Sequence, residues 1–252
     1  MKSTTVKILS LALGLSLAAC SHNTGFKKAS PAVTATTNMQ LAIEYMQLGQ
    51  LAKARDHIEL ALSENPASAD VQMTAGLVYE RLNEKVKAER AYSTAYRLGK
   101  DNPNLANTYA GYLCRSGKTA AGEKLFDQVA RSPLYQTPEV ALVNAGVCVR
   151  STGDLVDAER YFNRALAVHP NLPEAMLQLG NIAFDRGDAA QARDAVLRYL
   201  AVNPPTAEVL WLGFRAERKL GDNTAAAGYA RRVQTEFPNS DQAQMMRSGI
   251  DR

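Results

Sequence analysis

Three cysteines and three histidines offer the most chemistry in this 252-residue chain, and their spacing separates their roles. Cys20 follows Leu17-Ala18-Ala19 at the end of an apolar run, which sets it apart from the other two cysteines. Cys114 and Cys148 remain as an even pair, which in an oxidising compartment invites a disulfide. His22, His57 and His169 lie far apart, and none has a second ligand at metal spacing, so no metal is expected. The glycines form no phosphate-cradling loop, and neither Cys114 nor Cys148 has a base nearby in sequence. Asn107 with Arg115 is the nearest approach to a polar constellation. It is too sparse to carry a reaction, so the expectation is no catalytic residue, no cofactor and no small-molecule substrate.

The first residues are unlike the rest. Lys2 and Lys7 give a positive start, and Ile8 to Leu17 form an apolar run too short to span a bilayer, which reads as an export signal. Leu17-Ala18-Ala19-Cys20 resembles the bacterial lipobox, in which the cysteine is alkylated by diacylglycerol and the chain is cut just before it. An ordinary signal with a cleavage site beside a cysteine is the alternative. The expectation is removal of residues 1–19 and lipidation at Cys20. Each buried methylene contributes about 0.8 kcal/mol, so two or three acyl chains hold a protein on its membrane. Ser21, where an aspartate would favour retention in the inner membrane of Gram-negative bacteria, points to the periplasmic face of the outer membrane. Removal of Lys2 and Lys7 leaves 27 basic against 25 acidic residues, so the formal charge falls from +4 to +2. With no basic run and no interleaved aromatics, no nucleic-acid partner is indicated.

The elements that must position the two remaining cysteines begin after a spacer. Residues 21–36 are small, polar and turn-forming, and with Cys20 they read as a lipidated flexible tether over 20–36. As a coil it reaches on the order of 20 Å. Residues 37–252 then read as a solenoid of amphipathic helix pairs repeating at 34 residues: about 35–68, 69–102, 103–138, 139–172, 173–206 and 207–240. Gly49, Asn83, Gly117, Gly153, Gly187 and Gly221 recur between the helices of each pair, and one interval, 36 instead of 34, places a two-residue insertion between Ser132 and Pro138. Small residues such as Gly76, Gly146 and Gly213 let paired helices approach, and large ones such as Tyr92, Phe126 and Phe162 fill the adjoining space. The pattern resembles the tetratricopeptide repeat. That implies an all-α fold, a right-handed α-α superhelix of six repeats, with Ser240 to Ser248 as a short capping helix. An irregular helical bundle is the alternative.

In such repeats the first helices line the inner surface, and the fifth, ninth and twelfth residues of each form one stripe. In the first two repeats this selects Met39, Ile43, Met46, Met73 and Leu77, then Glu80, an apolar stripe suited to gripping another protein. Burial of these residues by the tether or by a different frame is the competing reading. Further along the rule selects Asn107, Gly111 and Cys114, then Val143, Val147 and Arg150, then Leu177, Asn181 and Phe184, and finally Trp211, Arg215 and Arg218. Arg215, Arg218 and Lys219 beside the only tryptophan suit an acidic or aromatic segment, or form a solvated helix end. Cys114 and Cys148 fall twelfth and tenth in consecutive first helices, and two residues turn a helix by about 200°. That offset suits a bridge between neighbours, with two buried thiols as the alternative.

Signal, lipobox, tether and six repeats together resemble the type IV pilus biogenesis lipoproteins of the PilF and PilW kind. The opening repeat is similar in style, around Leu41-Ala42-Ile43-Glu44-Tyr45 and Gly49-Gln50-Leu51-Ala52-Lys53-Ala54, and so is the central cysteine pair. The resemblance implies a pilotin: an outer-membrane adaptor that binds the secretin and promotes its localisation and multimerisation. The alternative is a repeat lipoprotein serving another envelope machine, cell-wall enzymes or barrel assembly.

Overall fold

A computed structural model describes residues 30–249; the expected export signal, Cys20 and the expected tether as far as residue 29 lie outside the described residues. The order is α1 Pro31–Gln47, α2 Leu51–Glu64, α3 Ala69–Arg81, α4 Lys85–Leu98, α5 Pro103–Arg115, α6 Thr119–Ala130, α7 Pro138–Arg150, α8 Leu155–Val168, α9 Pro173–Asp185, α10 Ala189–Val202, α11 Ala207–Leu220, α12 Asn223–Glu236 and α13 Asp241–Ser248. Each odd-numbered helix as far as α11 packs on the even-numbered helix that follows it, and each pair packs on the next. The result is an all-α solenoid of six helix pairs. The short α13 covers its end by packing on α11 and α12.

Local chemistry sets the boundaries. Gly49, Gly117, Gly153, Gly187 and Gly221 take positive φ just after the first helix of each pair, and Asn83 does so at φ 59 in the second. An asparagine tolerates this left-handed conformation better than most side chains. Asp154, Asp188 and Asp222 then cap α8, α10 and α12 by accepting from the backbone N–H groups of Asp157, Gln191 and Ala225. Four residues join α2 to α3, α4 to α5, α8 to α9 and α10 to α11, whereas seven join α6 to α7. Tyr135 pins that longer link to the core with only 8% of its surface exposed.

The structure corrects the tether at one end. α1 begins at Pro31, inside the stretch that reads as linker, because Ser30 caps it and proline is already set for the first helical position. Thr34, Thr36 and Thr37 donate their hydroxyls to carbonyls one turn back, and so sit in a helix without an apolar period to announce it. Among the described residues no helix is long and apolar enough to cross a membrane.

Candidate partner-binding groove

The odd-numbered helices carry the inner stripe. A groove of about 590 Å³ opens along α3, α5 and α7, lined by Leu77, Asn107, Gly111, Cys114, Asn144 and Val147 among others. Its floor is apolar. Val147 on α7 is 46% exposed, so the groove presents a large hydrophobic side chain to solvent. Across it the Asn144 amide donates to the Asn107 side-chain oxygen at 3.4 Å. Two amides beside an apolar floor present donors and acceptors to a backbone together with room for its side chains, which suits an extended peptide.

The groove is held open covalently. Cys114 of α5 and Cys148 of α7 form a disulfide with Cα atoms 5.5 Å apart. Counted from the closing glycines, Cys114 lies three residues before Gly117 and Cys148 five before Gly153, so the two face one another from opposite sides of neighbouring helices. Gly122 of α6 makes the space: a Cβ there would lie 2.4 Å from Cys114 Sγ and 2.8 Å from the Ala110 carbonyl oxygen.

One wall is an ionic clasp. Arg115 Nε donates to one Glu80 oxygen at 2.7 Å and its terminal nitrogen to the other at 3.0 Å, while the hydroxyl of the fully buried Tyr92 donates to Glu80 at 2.7 Å. Burial alone raises the Glu80 carboxyl, but the bonds from Arg115 and Tyr92 outweigh it and hold its pKa below the usual carboxylate value. The Tyr92 hydroxyl is pushed up by burial and by the carboxylate it faces. A lowered folded-state pKa gives stability that is complete above the unfolded carboxylate range and is lost as pH falls through the folded value. Thermal melts should therefore show the Glu80→Gln variant losing less of its midpoint than the parent between pH 7 and pH 3; parallel losses would remove Glu80 from the acid response.

Paired rings brace the same junction, stacked for Tyr92 and Tyr112 with centroids 4.4 Å apart and tilted for Tyr96 and Tyr109 at 5.5 Å. Later junctions repeat the arginine-to-carboxylate motif: Arg150 meets Asp185 at 2.5 Å and Gln178 at 2.6 Å, and Arg186 meets Glu159.

The apolar stripe of the first two repeats is placed differently from the expectation of an open surface. Met73 is only 7% exposed and belongs to the core, because α1 packs on α3 as well as on α2. Met39, Met46 and Leu77 are partly buried against the same core cluster, and Ile43 is half-buried. Of the five, only Leu77 lines the groove, which therefore centres on the second to fourth repeats. Thr108 and Asn144 also line it but escape the three-position rule, since each lies one residue further round its helix. At the far end Leu177, Asn181, Phe184, Trp211 and Arg215 are half-buried, and Arg218 is exposed. Among the described residues no group of three or more His, Cys, Asp or Glu side chains is gathered to hold a metal ion.

Comparison with known proteins then gives the kinship. A family model described as tetratricopeptide repeat matches residues 39–103 and 112–175, and two others of the same description match 150–212 and 209–240. The chain is 23% identical over 202 residues to the type IV pilus assembly protein PilF of Pseudomonas aeruginosa, covering 80% of each chain. It is 25% identical over 180 residues to cellulose synthase operon protein C of Xanthomonas axonopodis pv. citri, covering 69% of this chain but 12% of that one. Its fold is similar to the crystal structure of PilW, a widely conserved type IV pilus biogenesis factor, with TM-score 0.70, 29% identity, and coverage of 84% of this chain and 97% of the other. The Pseudomonas aeruginosa PilF structure shares the fold at TM-score 0.66 and 21% identity, covering 88% and 100%.

Proposed function

The chain belongs to the tetratricopeptide repeat family, and on that premise we propose that it is a pilotin of type IV pilus biogenesis, a non-catalytic lipoprotein adaptor that binds the outer-membrane secretin and promotes its multimerisation. The likeness to PilW over 84% of this chain and 97% of that one is the observation that carries this reading. Lipid on Cys20 anchors the protein at the periplasmic face of the outer membrane. The spacer lets the solenoid reach a secretin subunit, and the groove over α3, α5 and α7 receives an extended segment of it: Val147 and Leu77 meet apolar side chains while Asn107 and Asn144 bond the backbone.

The experiment follows secretin multimers in cells. Placing an unpaired charge in a buried contact costs about 2–5 kcal/mol, or more than tenfold in affinity, so Val147→Glu should reduce heat-stable secretin multimers by about tenfold or more. Helicity should stay at the parent level, because Val147 is already 46% exposed. Cys20→Ala should release the protein from the membrane fraction and mislocalise the multimers. Parent-level multimers in the Val147→Glu cells would overturn the groove, and normal piliation without the protein would overturn the pilus reading itself.

A further inference from the structure

At the far end of the inner stripe the pattern of paired charges stops. Arg115 of α5 meets Glu80 of α3, and Arg150 of α7 meets Asp185 of α9. One period of 34 residues after Asp185, the place of that carboxylate is taken by Lys219. The two cations brought together there sit on a ring instead: the Arg215 guanidinium lies 4.0 Å from the Phe184 centroid and Lys219 Nζ 5.1 Å from it. Among the described residues neither Arg215 nor Lys219 makes an ion pair. Lys219 Nζ does hover near Gly187 at the end of α9, 3.8 Å from where a Cβ would be. Trp211 completes the surface with its ring 5.3 Å from that of Phe214.

We propose that this surface, between α9 and α11, is a second docking site, distinct from the groove over α3, α5 and α7, and that it takes an extended acidic segment of a partner protein. Charge complementarity names the occupant. A guanidinium held over an aromatic ring keeps donors free at its edge, and those donors match a carboxylate. Arg215 and Lys219 are four residues apart, about 6 Å along the helix axis. Carboxylates on alternate residues of an extended chain are about 6.6 Å apart, so an acidic residue at every second position reaches both cations on one face. The intervening side chain turns away, and an aromatic or apolar residue next to the pair meets Trp211. A half-buried arginine and an exposed lysine one turn apart along a repeat stripe suit a chain more than a flat lipid surface. This inference does not rest on the pilus reading.

The only tryptophan of the chain is Trp211, so its fluorescence reports this site alone. The test titrates the purified protein with a synthetic peptide carrying glutamates at alternate positions and one phenylalanine, and with its glutamine counterpart. The expected result is a saturable Trp211 change with the acidic peptide only, weakening as salt is raised, and about tenfold weaker binding for Arg215→Gln with Lys219→Gln. Phe184→Leu, which keeps both cations but removes the ring they sit over, should also weaken it. Val147→Glu should leave it unchanged. No saturable change, or equal affinity in the doubly neutralised variant, overturns the proposal. A response to phosphatidylglycerol vesicles with none to the peptide overturns it in favour of a membrane contact.

Discussion

Replacing both Cys114 and Cys148 by serine, or reducing the bridge, is expected to lower the thermal midpoint by about 10 °C. Closing a loop across 34 residues removes enough freedom from the unfolded chain to contribute about 3 to 4 kcal/mol, and a domain of this size shifts by roughly 2–4 °C per kcal/mol. The position of the bridge gives the loss a second consequence. It ties α5 to α7 across the junction whose connecting link is seven residues instead of four, the place where the regular stacking of pairs is interrupted. Without it the direct contact between these helices relies on the Asn107–Asn144 bond at 3.4 Å and on apolar packing. Since Cys114 and Cys148 also line the groove, reduction should loosen the partner site along with the fold. Circular dichroism melts with and without reductant measure the first effect. A midpoint that moves by less than about 2 °C would mean that the neighbouring repeats hold this junction unaided.

The period of the fold was legible because each pair of helices needs the same few residue types at the same places. A residue able to take positive φ recurs at 49, 83, 117, 153, 187 and 221, and the one long interval in that series is the insertion that Tyr135 pins down. The start of α1 was not legible. Its first turns are built from Ser30, Pro31 and threonines whose hydroxyls bond one turn back, and the residues it buries are alanines, Ala35 and Ala42, which look like linker composition. The site was legible in part for a related reason. Counting three positions per first helix finds Leu77, Asn107, Gly111, Cys114 and Val147 in the groove, since helical spacing alone fixes which side they share. It misplaces Met73 because periodicity shows that a helix has two faces, but not that α1 touches α3 as well as α2 and so covers the second one. The stacking of Arg215 on Phe184 joins residues 31 apart in two different repeats, and only the packing of α9 on α11 brings them together.

Phe162→Ala is expected to destabilise the protein by about 4 kcal/mol, and the reason lies in a close fit between helices. Phe162 of α8 is fully buried, and its ring fills the space left by Gly146 of α7: a Cβ on that glycine would lie 2.7–3.0 Å from three atoms of the ring. Gly146→Ala alone should therefore cost about 2 kcal/mol by overpacking, even though alanine is the better helix former. In the double variant the new methyl enters the space that the ring has vacated. The combined loss should fall short of the sum of the two by about 1–2 kcal/mol, which denaturant titration can resolve. Additive losses would mean that the two positions do not share one packing site. Because each repeat in a solenoid contacts only its neighbours, a weakened fourth repeat, which itself carries part of the groove, also weakens the coupling between the repeats before it and the basic end after it. Phe162→Ala should therefore unfold in two transitions, while Val233→Ala in α12, fully buried in the last pair, should fray the end and leave one main transition.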